Sequence, residues 1–132
     1  QIASFKAKLL DTRKTTPMLR EFEKYAVRVG GGFNHRFGLY DMVMLKENHI
    51  RAVGSITAAV NRIKKHTTSY KIEVEVTNLR ELEEAARCGV DRIMLDNMSL
   101  SEMREAVKKI SGKVELEASG NVTLETIGKI AE

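Results

Sequence analysis

The fold is decided by residues 72–95, which read IEVEVTNLRELEEAARCGVDRIML. Within them, Ile72–Val76 predicts a strand, Asn78–Arg87 predicts a helix that ends at Gly89, and Asp91–Leu95 predicts the next strand. Strands that alternate with helices of about ten residues are typical of βαβ units. Because such crossovers are right-handed, we expect a parallel sheet with helices outside it.

The same alternation continues on both sides of this segment. Ser99 begins a predicted helix, and Glu102 three residues later completes a capping box. No Gly-x-Gly-x-x-Gly motif follows the first predicted strand, which disfavours a flat nucleotide-binding sheet. The five strand–helix units are too few for an eight-stranded barrel, so we expect a partial, open, TIM-like parallel β/α barrel of the α/β class. The other predicted elements are strands at Lys8–Thr12, Met42–Lys46 and Lys113–Ala118, and helices at Pro17–Val29, Arg51–His66, Ser99–Ile110 and Thr123–Ala131.

Composition excludes several classes of function. The chain is 42% hydrophobic and 30% charged, as globular domains are, and its net charge of +4 is spread along the sequence. Aromatic residues make up 5% with no Trp, so we expect no nucleic-acid partner. No apolar run approaches the roughly 18 residues of a membrane span, and no signal-peptide pattern opens the chain. We therefore expect a cytoplasmic location. Cys88 is the only cysteine, which excludes an internal disulfide.

Side chains alternate between the two faces of each predicted strand. Glu73 and Glu75 share one face of Ile72–Val76, opposite its branched apolar side chains. The apolar face should meet the helices, so the acidic face points into the barrel. By the same alternation, the inward residues near strand carboxyl ends are Lys46, Glu75, Asp96 and Glu117. Burying so many charges is costly unless they pair or meet a ligand.

Charged segments follow the predicted strands at their carboxyl ends, where functional sites lie in parallel α/β folds. Cations gathered around a few carboxylates suit an anionic, phosphate-bearing substrate that is held with a divalent metal. The segments are Asp11–Pro17, Asn34–Arg36, Leu45–His49, Glu73–Glu75 and Met94–Asn97.

The cations of the first two segments are candidate substrate ligands. Arg13 offers a planar fork and Lys14 a point charge for carboxylate or phosphate, although a solvated turn before a helix has the same composition. His35 and Arg36 lie in a glycine-rich loop and could equally be an exposed loop pair.

Three further groups carry alternatives of their own. Glu75 and Asp96 are hard oxygen ligands suited to Mg²⁺, or two acids that neutralise nearby cations. Lys46 is a substrate ligand, a salt-bridge partner of Glu75, or the Schiff-base lysine of a phosphosugar aldolase. Ser119 and Gly120, between a strand and a helix, could present backbone N–H groups to a phosphate or form an ordinary loop.

Together these motifs resemble the quinolinate phosphoribosyltransferase family, also called nicotinate-nucleotide pyrophosphorylase (carboxylating). The resemblance spans nearly all 132 residues. The segments that carry it are Asp11–Pro17, Glu23–Arg28, Gly30–Leu39, Leu45–Ile50, Glu73–Val76, Met94–Asn97 and Glu117–Asn121.

The resemblance implies an open α/β barrel that uses Mg²⁺ to transfer phosphoribosyl from phosphoribosyl pyrophosphate to quinolinate. The products would be nicotinate mononucleotide, pyrophosphate and CO₂. The residues expected around the pyridine dicarboxylate and neighbouring phosphates are Arg13, His35, Arg36 and Lys46. Those expected to serve phosphoribosyl pyrophosphate and its metal are Lys14, Glu75 and Asp96, and those near the 5′-phosphate are Ser119 and Gly120. The implied catalytic groups are Lys46, Glu75 and Asp96.

The resemblance also implies more chain than these residues. Family members carry an N-terminal domain that, in the homodimer, covers the partner's site and contributes an arginine. The sequence begins at Gln1 without Met and ends at Glu132 within a predicted helix. We therefore expect residues 1–132 to be part of a single α/β-barrel catalytic domain, without its N-terminal domain and the C-terminal end of the barrel. The alternatives are a molybdenum-transport-associated pyrophosphorylase paralogue and a non-catalytic partial-barrel fragment.

Overall fold

The structure is a computed structural model that describes residues 5–67 and 69–132. These residues form two compact units. The terminal unit comprises the described residues up to Asp41 together with Thr123–Glu132, and the sheet unit comprises Met42–Val122. No helix within the described ranges is long and apolar enough to cross a membrane.

The described residues alternate between strands and helices from residue 43 onward. The strands are β1 (Val43–Leu45), β2 (Ile72–Val76), β3 (Arg92–Asp96) and β4 (Glu115–Ser119). The helices are α1 (Arg20–Val29), α2 (Glu47–Val53), α3 (Ile56–His66), α4 (Leu79–Arg87), α5 (Leu100–Ile110) and α6 (Ile127–Ala131).

The sheet unit is built on one parallel sheet with the strand order β1-β2-β3-β4. The register is even, so one row across the sheet holds Leu45, Val74, Ile93 and Leu116. Strands that are consecutive in the chain are neighbours in the sheet, and a helical connection joins each to the next. This is the strand-and-helix order of a β/α barrel, and the predicted α/β class with a parallel sheet is confirmed.

One face of the sheet is packed against the helices. Val74, Val76 and Ile93 are fully buried there, in one core cluster with Val60 of α3 and Leu82 of α4. Each buried side chain of this size contributes about 1.5–3 kcal/mol to stability. The other face carries the charged side chains of the alternating pattern, so the predicted division between the faces is confirmed.

Side-chain caps fix where three of these helices begin. Ser55 Oγ accepts a hydrogen bond from Ala58 N–H (3.0 Å), and Asn78 Oδ1 accepts one from Glu81 N–H (3.0 Å). Ser99 begins α5 with the predicted capping box, in which its N–H donates to Glu102 Oε2 (2.8 Å). Each cap satisfies backbone donors that the first helical turn leaves unpaired.

The single helix predicted over Arg51–His66 is wrong, because α2 and α3 are separate. Gly54 has a φ of 100°, in the left-handed region that glycine adopts without a Cβ clash. Its N–H donates to Ile50 O (2.7 Å) and ends α2, and Ser55 then caps α3.

The strand predicted at Lys8–Thr12 is also wrong, because it is reduced to one parallel bridge between Leu10 and Phe33. Phe33 N–H donates to Leu9 O (2.8 Å), and Asp11 N–H donates to Phe33 O (3.1 Å). No second bridge joins the two segments among the described residues.

Two predicted helices begin later than expected. α1 begins at Arg20 instead of Pro17, because Met18 has a φ of 68° that no α-helical residue adopts. α6 begins at Ile127 instead of Thr123, because a turn precedes it in which Thr126 Oγ1 accepts a hydrogen bond from Thr123 N–H (2.8 Å).

Glu84 of α4 links two helices and should make stability depend on pH. Its Oε1 accepts hydrogen bonds from the Thr57 N–H and hydroxyl (both 2.9 Å), which lower the pKa of Glu84 below its ordinary value of 4.5. A lowered folded pKa contributes stability above the unfolded pKa, and that contribution is lost as the pH falls through the folded pKa. We expect Glu84→Gln to destabilise the protein at neutral pH and to unfold like the parent once the pH is well below 4.5.

Denaturant unfolding at a series of pH values measures this difference. Glu47→Gln is the control, since the ion pair of Glu47 with Arg51 is exposed and should matter little at any pH. A stability difference for Glu84→Gln that persists unchanged into acid would contradict the assignment.

Candidate active site

The predicted site residues are divided between the two units. The terminal unit holds Arg13, Lys14, His35 and Arg36. The sheet unit holds Lys46, Glu75, Asp96, Ser119 and Gly120, at or directly after strand carboxyl ends.

Lys46 and Glu75 form an ion pair at the carboxyl ends of β1 and β2. Lys46 Nζ lies 2.5 Å from Glu75 Oε2, and the side chains are 45% and 16% exposed. The expectation of a buried lysine is therefore not met, since Lys46 keeps nearly half of its side chain in solvent. The ion pair with Glu75 is present, but it is not the buried salt bridge of the alternative interpretation. It disfavours a Schiff-base lysine, because a nucleophilic amine must give up the charge that this contact uses.

Asp96 is held at the end of β3 by its neighbour in sequence. Asn97 Nδ2 donates to Asp96 Oδ2 (2.9 Å), and Asn97 N–H donates to Ser119 O (2.9 Å). Asp96 and Ser119 are also register partners across β3 and β4. Asn97 thus ties the candidate metal ligand to the candidate phosphate loop. Sequence reasoning did not assign Asn97 a role, although its position directly after a strand end was the available signal.

Gly120 lies in close contact with this amide. Its φ is 83°, and a Cβ added to it would stand 2.1 Å from Asn97 Oδ1. Asn121 Nδ2 donates to the same Oδ1 (2.9 Å), with its own backbone in the left-handed region (φ 53°). The turn therefore requires glycine for both its conformation and its contact.

A second charged cluster lies deeper in the same face, toward the strand amino ends. Arg92 donates through Nε (3.1 Å) and Nη2 (2.9 Å) to Glu115 Oε2, and through Nη1 (3.0 Å) to Glu117 Oε2. Burial alone would lower the pKa of Arg92, but Glu115, Glu73 and Glu117 outweigh it and raise that pKa. Glu73 is fully buried and is the register partner of Arg92.

Arg92 is the residue of this face that sequence reasoning missed. The alternation that placed Met94 and Asp96 inward places Arg92 on the same side, so the signal was present. The charge of the neighbouring Glu73 raises the pKa of Arg92, as do Glu115 and Glu117. Glu73 lies in this deeper cluster, whereas Glu75, two residues nearer the strand end, pairs with Lys46.

In the terminal unit, Arg13 lies at a bend and Lys14 directly follows it, both outside regular secondary structure. Lys14 is exposed, and its N–H donates to Thr12 Oγ1 (3.0 Å). Arg13 is half-buried, and its Nε makes no hydrogen bond among the described residues. A buried guanidinium N–H that lacks a protein acceptor is suited to bind an anion.

His35 and Arg36 lie in an irregular segment that polar side chains hold from both ends. His35 N–H donates to Asp11 Oδ1 (2.8 Å), and His35 Nδ1 accepts a hydrogen bond from Arg36 N–H (2.8 Å). An accepting Nδ1 leaves the ring proton of a neutral imidazole on Nε2.

Asp41 closes the other end of that segment. It accepts hydrogen bonds from Phe37 N–H (2.6 Å) and Gly38 N–H (3.0 Å). Partial burial would raise the pKa of Asp41, but these hydrogen bonds and the charge of Arg36 lower it on balance.

The parallel sheet, with helices on one face and charged side chains at the strand ends of the other, defines a domain of the β/α-barrel type. Comparison with known proteins identifies the family to which this domain belongs. The family described as quinolinate phosphoribosyl transferase, C-terminal domain, matches residues 1–132. The chain belongs to this family.

Named relatives agree with this placement. A probable nicotinate-nucleotide pyrophosphorylase [carboxylating] from Synechocystis sp. is 51% identical over 98% of this chain and 45% of that protein. The Bacillus subtilis protein of the same name is 49% identical over 91% of this chain and 42% of that protein. The structure of the nicotinate-nucleotide pyrophosphorylase from Francisella tularensis superposes with a TM-score of 0.96 at 52% identity, over 98% of this chain and 46% of that one. The chain thus spans a little under half the length of the relatives it matches.

Gly120→Ala tests whether the turn after β4 needs glycine for space as well as for conformation. We expect a loss of about 1–3 kcal/mol for the left-handed backbone, increased by displacement of Asn97. Denaturant unfolding measures the loss, and amide and side-chain NMR shifts report the movement of Asn97.

Two other glycines separate the causes in this experiment. Gly112 has a φ of 76° but open space around an added Cβ, and Gly128 has neither a positive φ nor a close neighbour. The expected order of destabilisation is Gly120→Ala, then Gly112→Ala, then Gly128→Ala. An equal effect at Gly120 and Gly112 would show that the contact with Asn97 is unimportant.

Proposed function

We propose that this chain is the phosphoribosyl-transfer domain of a quinolinate phosphoribosyltransferase that acts in NAD biosynthesis. The reaction transfers phosphoribosyl from phosphoribosyl pyrophosphate to quinolinate and releases nicotinate mononucleotide, pyrophosphate and CO₂. The observation that carries the proposal is the Lys46–Glu75 ion pair with Asp96 at the ends of adjacent strands, in a chain of this family. The names of its relatives support the same reaction.

The reaction requires the protein to position the substrates and to stabilise charge, and it does not require a nucleophilic side chain. Loss of pyrophosphate from a ribosyl carbon passes through a transition state with oxocarbenium character, which fixed charges can stabilise. In our proposal Arg13, His35 and Arg36 bind the carboxylates of quinolinate, and Lys46 adds its ammonium charge. Decarboxylation leaves an electron pair beside the cationic ring nitrogen, which a basic environment tolerates.

The donor set of the sheet unit suits Mg²⁺. Glu75 and Asp96 use one carboxylate oxygen each for Lys46 and Asn97, and their second oxygens make no hydrogen bond among the described residues. Mg²⁺ is commonly bound by one or two carboxylates together with substrate phosphates. When bound, it would neutralise charge on the departing pyrophosphate. Lys14 would bind phosphoribosyl pyrophosphate through its exposed ammonium group, and Ser119 and Gly120 would approach the 5′-phosphate through backbone N–H groups.

The first test is an assay of the full-length protein with quinolinate, phosphoribosyl pyrophosphate and Mg²⁺. We expect nicotinate mononucleotide, and we expect a chelator to stop its formation. Turnover of another phosphoribosyl acceptor without any on quinolinate would favour the molybdenum-transport-associated paralogue. We also propose a homodimer on the strength of the resemblance, which sedimentation of the full-length protein tests. The cytoplasmic location stays a prediction.

Glu75 and Glu73 should respond differently to the same substitution in the full-length enzyme. Glu75→Gln removes the candidate metal ligand, so we expect turnover to fall at least about tenfold, with weaker Mg²⁺ dependence and an unchanged fold. Glu73→Gln disturbs the buried cluster around Arg92, so we expect a loss of about 3 kcal/mol in stability with turnover per folded molecule retained.

Magnesium titrations of turnover and thermal unfolding separate the two effects. The assignment fails if Glu73→Gln abolishes metal-dependent turnover at an unchanged melting temperature while Glu75→Gln does neither. That result would mean that Glu73 is the metal-side acid.

A further inference from the structure

The four candidate substrate residues of the terminal unit lie outside regular secondary structure. Arg13 lies at a bend that Lys14 directly follows, and His35 and Arg36 lie in an irregular segment. The only backbone ladder between these segments in the described ranges is the Leu10–Phe33 bridge. Their mutual placement therefore depends on side chains that link one segment to the other.

Lys24 of α1 makes one such link. Its side chain is 5% exposed, and Nζ contacts Asp11 Oδ1 (2.5 Å) and His35 O (3.1 Å). Asp11 Oδ1 in turn accepts the hydrogen bond from His35 N–H (2.8 Å). The peptide groups on both sides of His35 are thus held, one through its N–H and the other through its carbonyl.

Arg20, one helical turn earlier, makes a second link. Its Nη2 donates to Arg13 O (3.2 Å), its Nε to Thr15 Oγ1 (3.1 Å), and its Nη1 to Phe37 O (3.2 Å). A single guanidinium therefore joins the segment that carries Arg13 and Lys14 to the segment that carries Arg36. The planar fork of arginine suits three acceptors at fixed angles.

Arg20 and Lys24 are four residues apart and so lie on one face of α1. The helix buries Lys24, while the apolar side chains of Phe22, Tyr25 and Val29 are about 70% exposed. Burying an ammonium group is costly, and apolar residues of similar volume often replace buried ion pairs without loss of stability. Stability alone therefore does not explain why α1 buries a lysine at position 24 and not an apolar residue.

We propose that Arg20 and Lys24, together called the α1 clamp, are positioning residues for the anionic substrate. They fix the spacing between the main chain of Arg13 and that of the His35–Arg36 pair, so that the three cationic or hydrogen-bonding side chains meet one dicarboxylate. This inference rests on the proposed function, and it extends that function to residues that do not touch substrate.

The test uses the full-length enzyme and the variants Arg20→Met and Lys24→Met. We expect kcat/KM for quinolinate to fall about 100-fold, the effect of a misplacement of about 1 Å. The fall should come mainly from a higher KM for quinolinate, because the clamp supports ground-state binding. Arg20→Lys, which keeps the charge and part of the hydrogen bonding, should recover part of the loss.

Lys64→Met is the matched control. Lys64 Nζ also donates to two main-chain carbonyls, those of Cys88 (2.7 Å) and Gly89 (2.9 Å), but these belong to the end of α4 and carry no candidate substrate residue. We expect Lys64→Met to lower stability and to leave the KM values for quinolinate and for phosphoribosyl pyrophosphate unchanged.

Lys24→Met leaves Asp11 buried without its cation and could prevent folding, in which case Arg20→Met and Arg20→Lys decide the question. The proposal is overturned if folded Arg20→Met keeps the parental KM for quinolinate, or if it loses activity only in proportion to the unfolded fraction.

A failure of the proposed function is distinguishable from a failure of the clamp. If the parent enzyme forms no product from quinolinate, the proposed function fails, and hydrogen exchange then decides about the clamp. Faster exchange of the amides of residues 34–38 in Arg20→Met, with unchanged exchange in β2 and β3, supports the clamp. Unchanged exchange at residues 34–38 overturns it.

Discussion

The structure of the sheet unit depends on the two-residue period of side chains along parallel strands held in even register. Because β1 to β4 pair in step, the apolar residues of all four strands fall in the same rows and meet the helices together. The same period collects the charged residues on the opposite face. The core and the candidate site are therefore two consequences of one hydrogen-bonded ladder.

The charged side chains of that face make different contacts at the amino ends and at the carboxyl ends of the strands. Near the strand amino ends, Arg92 donates hydrogen bonds to Glu115 and Glu117 and also feels the charge of Glu73. Toward the carboxyl ends, Lys46 and Glu75 form one open pair, and Asp96 bonds an amide and not a cation. Glu75 and Asp96 each keep one carboxylate oxygen without a hydrogen bond among the described residues, and at the strand carboxyl ends these oxygens are suited to bind a metal.

The sequence was sufficient to predict those parts of the fold that repeat a local rule. The alternation in Ile72–Val76 and the cap at Ser99 each follow from spacing alone, and both were predicted. The strand expected at Lys8–Thr12 was not found, because a ladder needs a partner and the segment around Phe33 offers only one residue. The division of α2 from α3 depends on Gly54 in a left-handed conformation, and Gly54 followed by the capping Ser55 was a helix-end signal that the prediction missed. Arg92 was predictable from its face, whereas the contacts of Arg20 and Lys24 join residues up to 17 positions apart and required the structure.

The even register also limits how these strands can change in length. Removing one residue from within β2 would invert the part of the strand on one side of the deletion, so that Glu73 or Glu75 would face the helices. Pairs of residues could be lost without that exchange, but only at the expense of moving Glu75 away from the carboxyl edge. Changes in length are therefore better tolerated in the connections, such as the one between Ile110 and Glu115, than within the strands.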